Sequence, residues 1–190
     1  MKHDGMKRAA RATLALLVLV SSPMLLAQDR APARGERVAL ALATAQNAQG
    51  KKDRRELASA LAVIDRSGAH PLAEWNGTDP VPQWRALVPD NAPPMRGSPL
   101  GPGYRSGQIM GGSSESFEQV FLSGQKASIA LSTPGNAPIS LHVLDPERKP
   151  VCVIRNTKRT CHWVPIFTQR YTIEVHNSGD GVADYFLVID

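Results

Sequence analysis

The chain has 190 residues, of which 42% are hydrophobic and 21% charged, and a formal net charge of +5 at pH 7. Four of its basic side chains lie within the first 11 residues, so most of the net charge belongs to the N-terminus, and the composition gives no argument for nucleic acid as a partner. The apolar run at residues 12–20 is shorter than the ~20 residues that span a bilayer, so no transmembrane segment is expected in the mature chain.

Residues 1–27 have the features of a secretory signal peptide. Basic residues precede the apolar run, and the small residue Ala27 stands directly before Gln28, the expected start of the mature protein. A retained membrane anchor is the alternative, against which the short length of the run counts. Cleavage would leave 18 basic and 16 acidic side chains, a charge of +2. A periplasmic or secreted protein is therefore predicted.

Residues 28–35 are expected to form a disordered leader and residues 36–70 a helical hairpin. The first helical segment has helix-forming residues and no proline, and is broken near Gly50. Asp53 can cap the second segment, with Glu56 three residues later in the spacing of a capping box. The apolar side chains of this segment repeat at helical spacing: Leu57, Leu61 and Ile64. Because so small a hairpin cannot hold a core alone, it is expected to pack on the following domain, on another copy or on a partner.

Residues 71–105 read as a proline-rich connector. Eight prolines interrupt this stretch, and regular structure is not expected across them. Trp75 and Trp84 nevertheless lie within it. Because large aromatic side chains mostly serve packing, the connector is expected to dock partly on a domain surface.

From residue 106 to residue 190 the hydrophobic pattern has a period of two. About eight short β-rich runs are separated by turn residues, which predicts a mainly β domain, an antiparallel, jelly-roll-like β-sandwich. The alternating apolar residues are the predicted inward faces: Ala127, Ile129 and Leu131; Ile139, Leu141 and Val143; Tyr171, Ile173 and Val175.

The two cysteines, Cys152 and Cys161, lie on either side of a turn-like segment. On a hairpin centred between Asn156 and Thr157 they would face each other across an antiparallel pair, close enough for a bond. A redox pair more often has the spacing C-x-x-C, and a zinc site needs two further ligands. In an exported chain, a disulfide that closes a hairpin is therefore predicted.

Several segments resemble a bacterial pre-peptidase C-terminal domain: FLSGQKASI at 121–129, LHVLD at 141–145, CHWVP at 161–165, YTIEVHNSG at 171–179 and YFLVI at 185–189, with GPGYR at 101–105 before them. The resemblance implies a jelly-roll-like sandwich that accompanies secreted enzymes or stands alone as a binding or accessory module. Some such domains bind calcium. The stretch before Asp145 lacks the acidic residues this would need, so no metal or other cofactor is expected.

No catalytic motif is present, neither H-E-x-x-H nor G-x-S-x-G nor a Walker A loop. The serines of GGSSES at 111–116 read as an ordinary loop, and His142 and His176 fall opposite the inward faces of their strands. The chain is therefore not expected to be an enzyme. An unrecognised enzyme, or an accessory to a hydrolase, is the third hypothesis.

Arg155, Lys158 and Arg159 crowd the turn between the cysteines, with His162 and Trp163 just beyond. Together they form a candidate ligand surface for an anionic envelope polymer. The alternatives are a solvated turn and a tryptophan packed over the disulfide. The leading hypothesis is a non-catalytic, exported binding or accessory module of the cell envelope, with such a polymer or an exported protein as partner. The second is a structural protein that forms homo-oligomers through its helical hairpin.

Overall fold

The computed structural model describes residues 31–88, 101–155 and 159–190. The predicted signal peptide, residues 28–30 of the leader, and residues 89–100 of the connector lie outside them. Arg34 and Gly35 of the predicted disordered leader already belong to the first helix. The helices are α1 (Arg34–Lys51), α2 (Arg54–Arg66) and α3 (Val81–Ala86). The strands are β1 (His70–Pro71), β2 (Gly103–Ile109), β3 (Ser114–Phe121), β4 (Ala127–Ser132), β5 (Ile139–Leu144), β6 (Pro150–Ile154), β7 (Thr160–Trp163), β8 (Gln169–Asn177) and β9 (Ala183–Ile189).

The strands form two sheets, which confirms the predicted mainly β sandwich. A five-stranded sheet has the order β1-β2-β9-β4-β7, and a four-stranded sheet has the order β3-β8-β5-β6. All neighbours are antiparallel except β1 and β2. From β2 to β9, each strand lies in the other sheet from the strand before it, except that β5 and β6 share a sheet. This alternation between the sheets is the jelly-roll-like feature. The eight predicted β-rich runs correspond to β2–β9. The two-residue strand β1 was not predicted.

The core between the sheets contains the side chains that the period-two pattern predicted. Ile129, Leu141 and Ile173 are completely buried there. The other predicted inward residues are buried as well: Ala127, Leu131, Ile139, Val143, Tyr171 and Val175. Alternate residues of β5 and β8 remain partly exposed, so the outer face of the four-stranded sheet is in contact with solvent.

The helical hairpin packs on the outer face of the five-stranded sheet. Asp53 caps α2 as predicted, since its carboxylate accepts hydrogen bonds from the backbone N–H groups of Arg55 (3.1 Å) and Glu56 (3.0 Å). The apolar residues of α1 and α2 share a second core with Ala130 and Phe186 of the sheet. The chain itself therefore covers the apolar face of its hairpin. Among the described residues, no helix is both long and apolar enough to cross a membrane.

The proline-rich connector contains a short helix, so the expectation of irregular structure throughout is wrong at α3. Pro80 and Pro82 lie at the start of this helix, where a missing N–H costs no helical hydrogen bond. Trp84 is 2% exposed, and its ring lies 6.0 Å from that of Phe186. This part of the connector is docked on the five-stranded sheet.

The predicted disulfide between Cys152 and Cys161 is present, with Cα atoms 5.9 Å apart. The predicted hairpin around it is wrong, because β6 pairs with β5 and β7 pairs with β4. The bond therefore joins the edge strands of two different sheets. The segment between the cysteines is long enough for the chain to cross from one sheet to the other, and the symmetric spacing of the cysteines cannot distinguish the two arrangements.

Candidate functional site

A polar pocket of about 410 Å³ lies on the outer face of the four-stranded sheet. Its polar lining is made of three serines, two histidines, one arginine and one glutamate: Ser114, Ser140, Ser178, His142, His176, Arg155 and Glu174. Pro138 and Ile139 complete it. None of these polar side chains belongs to either hydrophobic core, because they lie on the solvent-facing side of the sheet.

The strand register brings these side chains together. His176 of β8 lies opposite Ser114 of β3 on one side and Ser140 of β5 on the other. His142 lies opposite Glu174 in the same pair of strands. Because alternate residues of a strand point to the same face, the outward positions of three adjacent strands converge on one pocket.

Ser114 and His176 form a hydrogen-bonded pair, with 2.9 Å between the hydroxyl oxygen and Nδ1 of the imidazole. The same Nδ1 lies 3.1 Å from the carbonyl oxygen of Ser113. With a proton on Nδ1 the imidazole donates to this carbonyl, and without one it accepts from the Ser114 hydroxyl. The contacts of Ser114 and His176 thus fix the orientation of the imidazole at the pocket.

The positive and negative charges at the pocket do not cancel. Glu174 accepts a hydrogen bond of 2.6 Å from Arg148, which compensates its negative charge. Arg155 lies 3.4 Å from Nε2 of His142, and because a guanidinium has donors only, this contact uses a lone pair of the histidine. Arg155 is exposed and has no carboxylate partner among the described residues. The pocket therefore presents hydrogen-bond donors and an excess of positive charge.

The structure places two of the predicted site residues at adjoining cavities. Arg155 lines the polar pocket, and Arg159 lines a neighbouring cavity of about 280 Å³, which shares Pro138 and Ile139 with the pocket. His162 is exposed on β7. Lys158 lies outside the described residues.

Trp163 is packed between the sheets. Its ring centroid lies 4.8 Å from that of Phe121 and 5.7 Å from that of Tyr171, in edge-to-face and tilted arrangements. Its indole N–H is buried and has no hydrogen-bond acceptor within the described part of the chain. The side chain thus packs against the core while remaining partly exposed.

The sequence pattern indicates His142 and His176 only as separate surface residues. The outward parity of their strands was visible in the sequence, but their proximity depends on the strand order β3-β8-β5, which local patterns do not give. The described residues contain no group of three or more His, Cys, Asp or Glu side chains placed to hold a metal ion.

No family model matches the sequence, and no curated protein matches it significantly. Among solved structures, the periplasmic g-type lysozyme inhibitor PliG of Aeromonas hydrophila is similar at 12% identity and a TM-score of 0.41, covering 47% of this chain and 84% of that one. The pre-peptidase C-terminal domain of a Bacillus anthracis collagenase has 12% identity and a TM-score of 0.41, covering 46% and 87%. The Yersinia pseudotuberculosis-derived mitogen has 12% identity and a TM-score of 0.40, covering 47% and 84%. At these values none of the three lends its activity to this chain.

Proposed function

We propose that this protein is an exported, non-catalytic binding module of the cell envelope, whose polar pocket holds an anionic, hydroxyl-rich group of an envelope polymer. The observation that carries the proposal is the position of Arg155, a positive charge without a carboxylate partner at a pocket lined by serines and histidines. An arginine in such a place suits carboxylate or phosphate groups, which it can bind through two parallel hydrogen bonds.

The other lining groups suit the hydroxyls of a sugar. Ser140 offers a donor and an acceptor, the Ser178 hydroxyl keeps its acceptor capacity while donating to the Pro138 carbonyl, and the second ring nitrogen of His142 remains as a donor, so the pocket presents both kinds of group that hydroxyls need. The pocket lies on a sheet face that is partly in contact with solvent, so a polymer can pass along the face without having to end there. These features support a polymer over a small molecule that is enclosed on all sides.

The proposed location is supported by two independent features. The disulfide between Cys152 and Cys161 is of the kind that forms and persists in an oxidising compartment. The sequence of residues 1–27 has the order of charge, apolar run and small residue that directs secretion. Both favour the periplasm or the cell exterior, where anionic polymers are abundant.

The test compares two single-charge variants of the mature chain. Arg155→Ser removes the charge at the polar pocket, and Arg159→Ser removes an equal charge from the neighbouring cavity. Retention on immobilised lipopolysaccharide and on peptidoglycan is measured at low and at physiological salt. One charge near an anionic surface contributes about 1 kcal/mol, so Arg155→Ser should weaken retention about 5-fold.

Arg159→Ser removes a charge beside the pocket and not at it, so this variant should lose less retention than Arg155→Ser. An equal loss in both variants would show that net charge alone governs retention and would contradict a specific pocket. Wild-type retention by Arg155→Ser would remove the pocket from the proposal. Binding should also fall as salt is raised, because exposed charges are screened over about 8–10 Å at these ionic strengths.

A further inference from the structure

Two neighbouring turns expose a cluster of apolar side chains at one end of the sandwich. The first turn joins β3 to β4, and the second joins β7 to β8. Four large hydrophobic residues are exposed on them: Leu122 (48%), Val164 (57%), Ile166 (80%) and Phe167 (68%). We call this group the apolar tip. Val120, 44% exposed, lies close to it on β3.

The two turns are fixed to each other by hydrogen bonds. The backbone N–H of Gly124 donates to the carbonyl of Pro165 (2.9 Å), and the backbone N–H of Ser123 donates to the hydroxyl of Thr168 (3.0 Å). The Ser123 hydroxyl donates to the carbonyl of Ile166. The exposed apolar side chains are therefore held outward by the fold and do not result from a loose loop.

These hydrogen bonds also prepare the backbone for an apolar medium. The carbonyls of Pro165 and Ile166 already have donors, and proline has no N–H to satisfy. An unsatisfied backbone group costs several kcal/mol in hydrocarbon, so these two occupied carbonyls lower the cost of placing the turn in a lipid layer.

The charges around the apolar tip are positive or compensated. Residues 119–128 and 159–173 contain no Asp or Glu. The nearest acidic residue on β3, Glu118, forms an ion pair of 3.0 Å with Arg170. Lys126, on the β3–β4 turn, is exposed and forms no ion pair among the described residues. A lysine beside an apolar protrusion, with no uncompensated carboxylate in the neighbouring segments, complements a surface of anionic headgroups.

We propose that the apolar tip inserts into the surface of a bilayer that contains anionic lipids. The tip is a protrusion, and a fluid lipid layer can receive it without a preformed cavity, whereas a protein partner would need a groove of matching shape. The polar pocket includes Ser114 and Ser178, at the far ends of β3 and β8 from the tip. The two surfaces are therefore separate, and this proposal does not depend on the proposed function.

The experiment measures co-sedimentation of the mature chain with vesicles of phosphatidylglycerol and phosphatidylcholine, and with vesicles of phosphatidylcholine alone. The test variant is the double substitution Ile166→Ser/Phe167→Ser. The matched control is Met110→Ser/Val182→Ser, which removes side chains that are 69% and 60% exposed on turns at the opposite end of the sandwich. All four side chains are exposed, so thermal melts should confirm that both variants fold.

We expect the wild type and the control variant to bind the anionic vesicles, and the tip variant to bind at least 10-fold more weakly. Lys126→Ser should bind a few-fold more weakly and lose the preference for phosphatidylglycerol. Equal binding by the tip and control variants would overturn the proposal, as would no vesicle binding by the wild type. A wild-type dimer that the tip variant abolishes, without vesicle binding, would identify the tip as a contact between copies and would also overturn it.

Discussion

The side chain of Asn177 joins the turn after β8 to the end of β2. It is completely buried, and its amide nitrogen donates to the carbonyls of Ile109 (3.1 Å) and Gly181 (2.8 Å). Its amide oxygen accepts from the N–H of Gly179 (2.9 Å). The sequence N-S-G-D-G indicates a turn here, but only the fold shows that the asparagine is turned inward to connect that turn with the end of β2. Local turn chemistry cannot reveal a bond to a distant carbonyl.

Tyr104 and Tyr185 are buried tyrosines with acidic partners. The Tyr104 hydroxyl donates to Asp79 (2.9 Å), and the Tyr185 hydroxyl donates to Glu115 (3.0 Å). Burial is the main cause that raises the pKa of both phenols far above the usual value, and the neighbouring carboxylates add to it. The folded protein therefore keeps both phenol protons at pH values where the unfolded chain loses them.

We predict that this makes the protein less stable in alkaline solution. Above about pH 10 the unfolded chain binds fewer protons than the folded one, so the free energy of unfolding falls as pH rises. Each tyrosine contributes a slope of at most about 1.4 kcal/mol per pH unit. Urea unfolding across this range should show a shallower decline for Tyr104→Phe/Tyr185→Phe than for the wild type. Identical slopes would contradict the prediction.

At the scale of elements, the contact between α1 and the five-stranded sheet depends on small side chains. Ser128, Ala130 and Ser132 form the outer face of β4 and are all buried, although this face had no predicted role. The buried residues of α1 are mostly alanines. Small side chains on both surfaces let a helix approach a sheet closely. The sequence indicated that the hairpin needed a partner, but it could not show which surface supplied it, since small residues also occur on solvent-facing strands.

α3 is the element whose docking can be tested most directly. Trp84 is 2% exposed, whereas Leu87, at the C-terminal end of the same helix, is 45% exposed. Trp84→Ala should lower the free energy of unfolding by about 3–5 kcal/mol, because it leaves a cavity over the five-stranded sheet. Leu87→Ala should change it by less than about 0.5 kcal/mol. Denaturant unfolding of both variants checks this, and equal effects would mean that α3 does not stabilise the fold.

The strands themselves were largely predictable, because alternation along one strand is a local property. The pairing partners of β6 and β7 could not be predicted from such local patterns. The residues from Cys152 to Cys161 fit a hairpin and a crossing between sheets equally well. The arrangement is decided by the pairing of β6 with β5 and of β7 with β4, strands that lie earlier in the chain.

The polar pocket could not be predicted either, because it also depends on strand order. Its histidines are 34 positions apart, as their numbers in His142 and His176 show, and meet only through strand order.

At the scale of the whole molecule, the two sheets are linked to each other on both sides of the sandwich. The disulfide closes the edge between β6 and β7. At the opposite edge Arg105 of β2 forms an ion pair with Glu115 of β3, which also accepts from Tyr185. The guanidinium of Arg105 lies 3.9 Å above the ring of Phe117. A covalent bond and a polar network thus hold the two sheets together on either side of the apolar core.

We predict that the protein stays folded without its disulfide but is less stable. In the chain-entropy description, a bond that closes so short a loop stabilises by roughly 2.5–3 kcal/mol. Guanidinium unfolding with and without reductant should show a lower midpoint for the reduced wild type. The variant Cys152→Ala/Cys161→Ala should be insensitive to reductant. If the oxidised and reduced midpoints coincide, the bond does not stabilise the sandwich.

The central position of β9 in the five-stranded sheet has a consequence for how the protein is made. β9 is the last of the nine strands in chain order, yet it separates β2 from β4 and supplies buried residues to both cores. Until residues 183–189 arrive, these two strands lack their shared neighbour, and the sheet cannot be completed. Since such distant pairings form slowly, the five-stranded sheet is completed only after synthesis has passed this point. In the exported chain that we propose, a secretory channel that accepts only extended polypeptide would receive the chain before this sheet is complete.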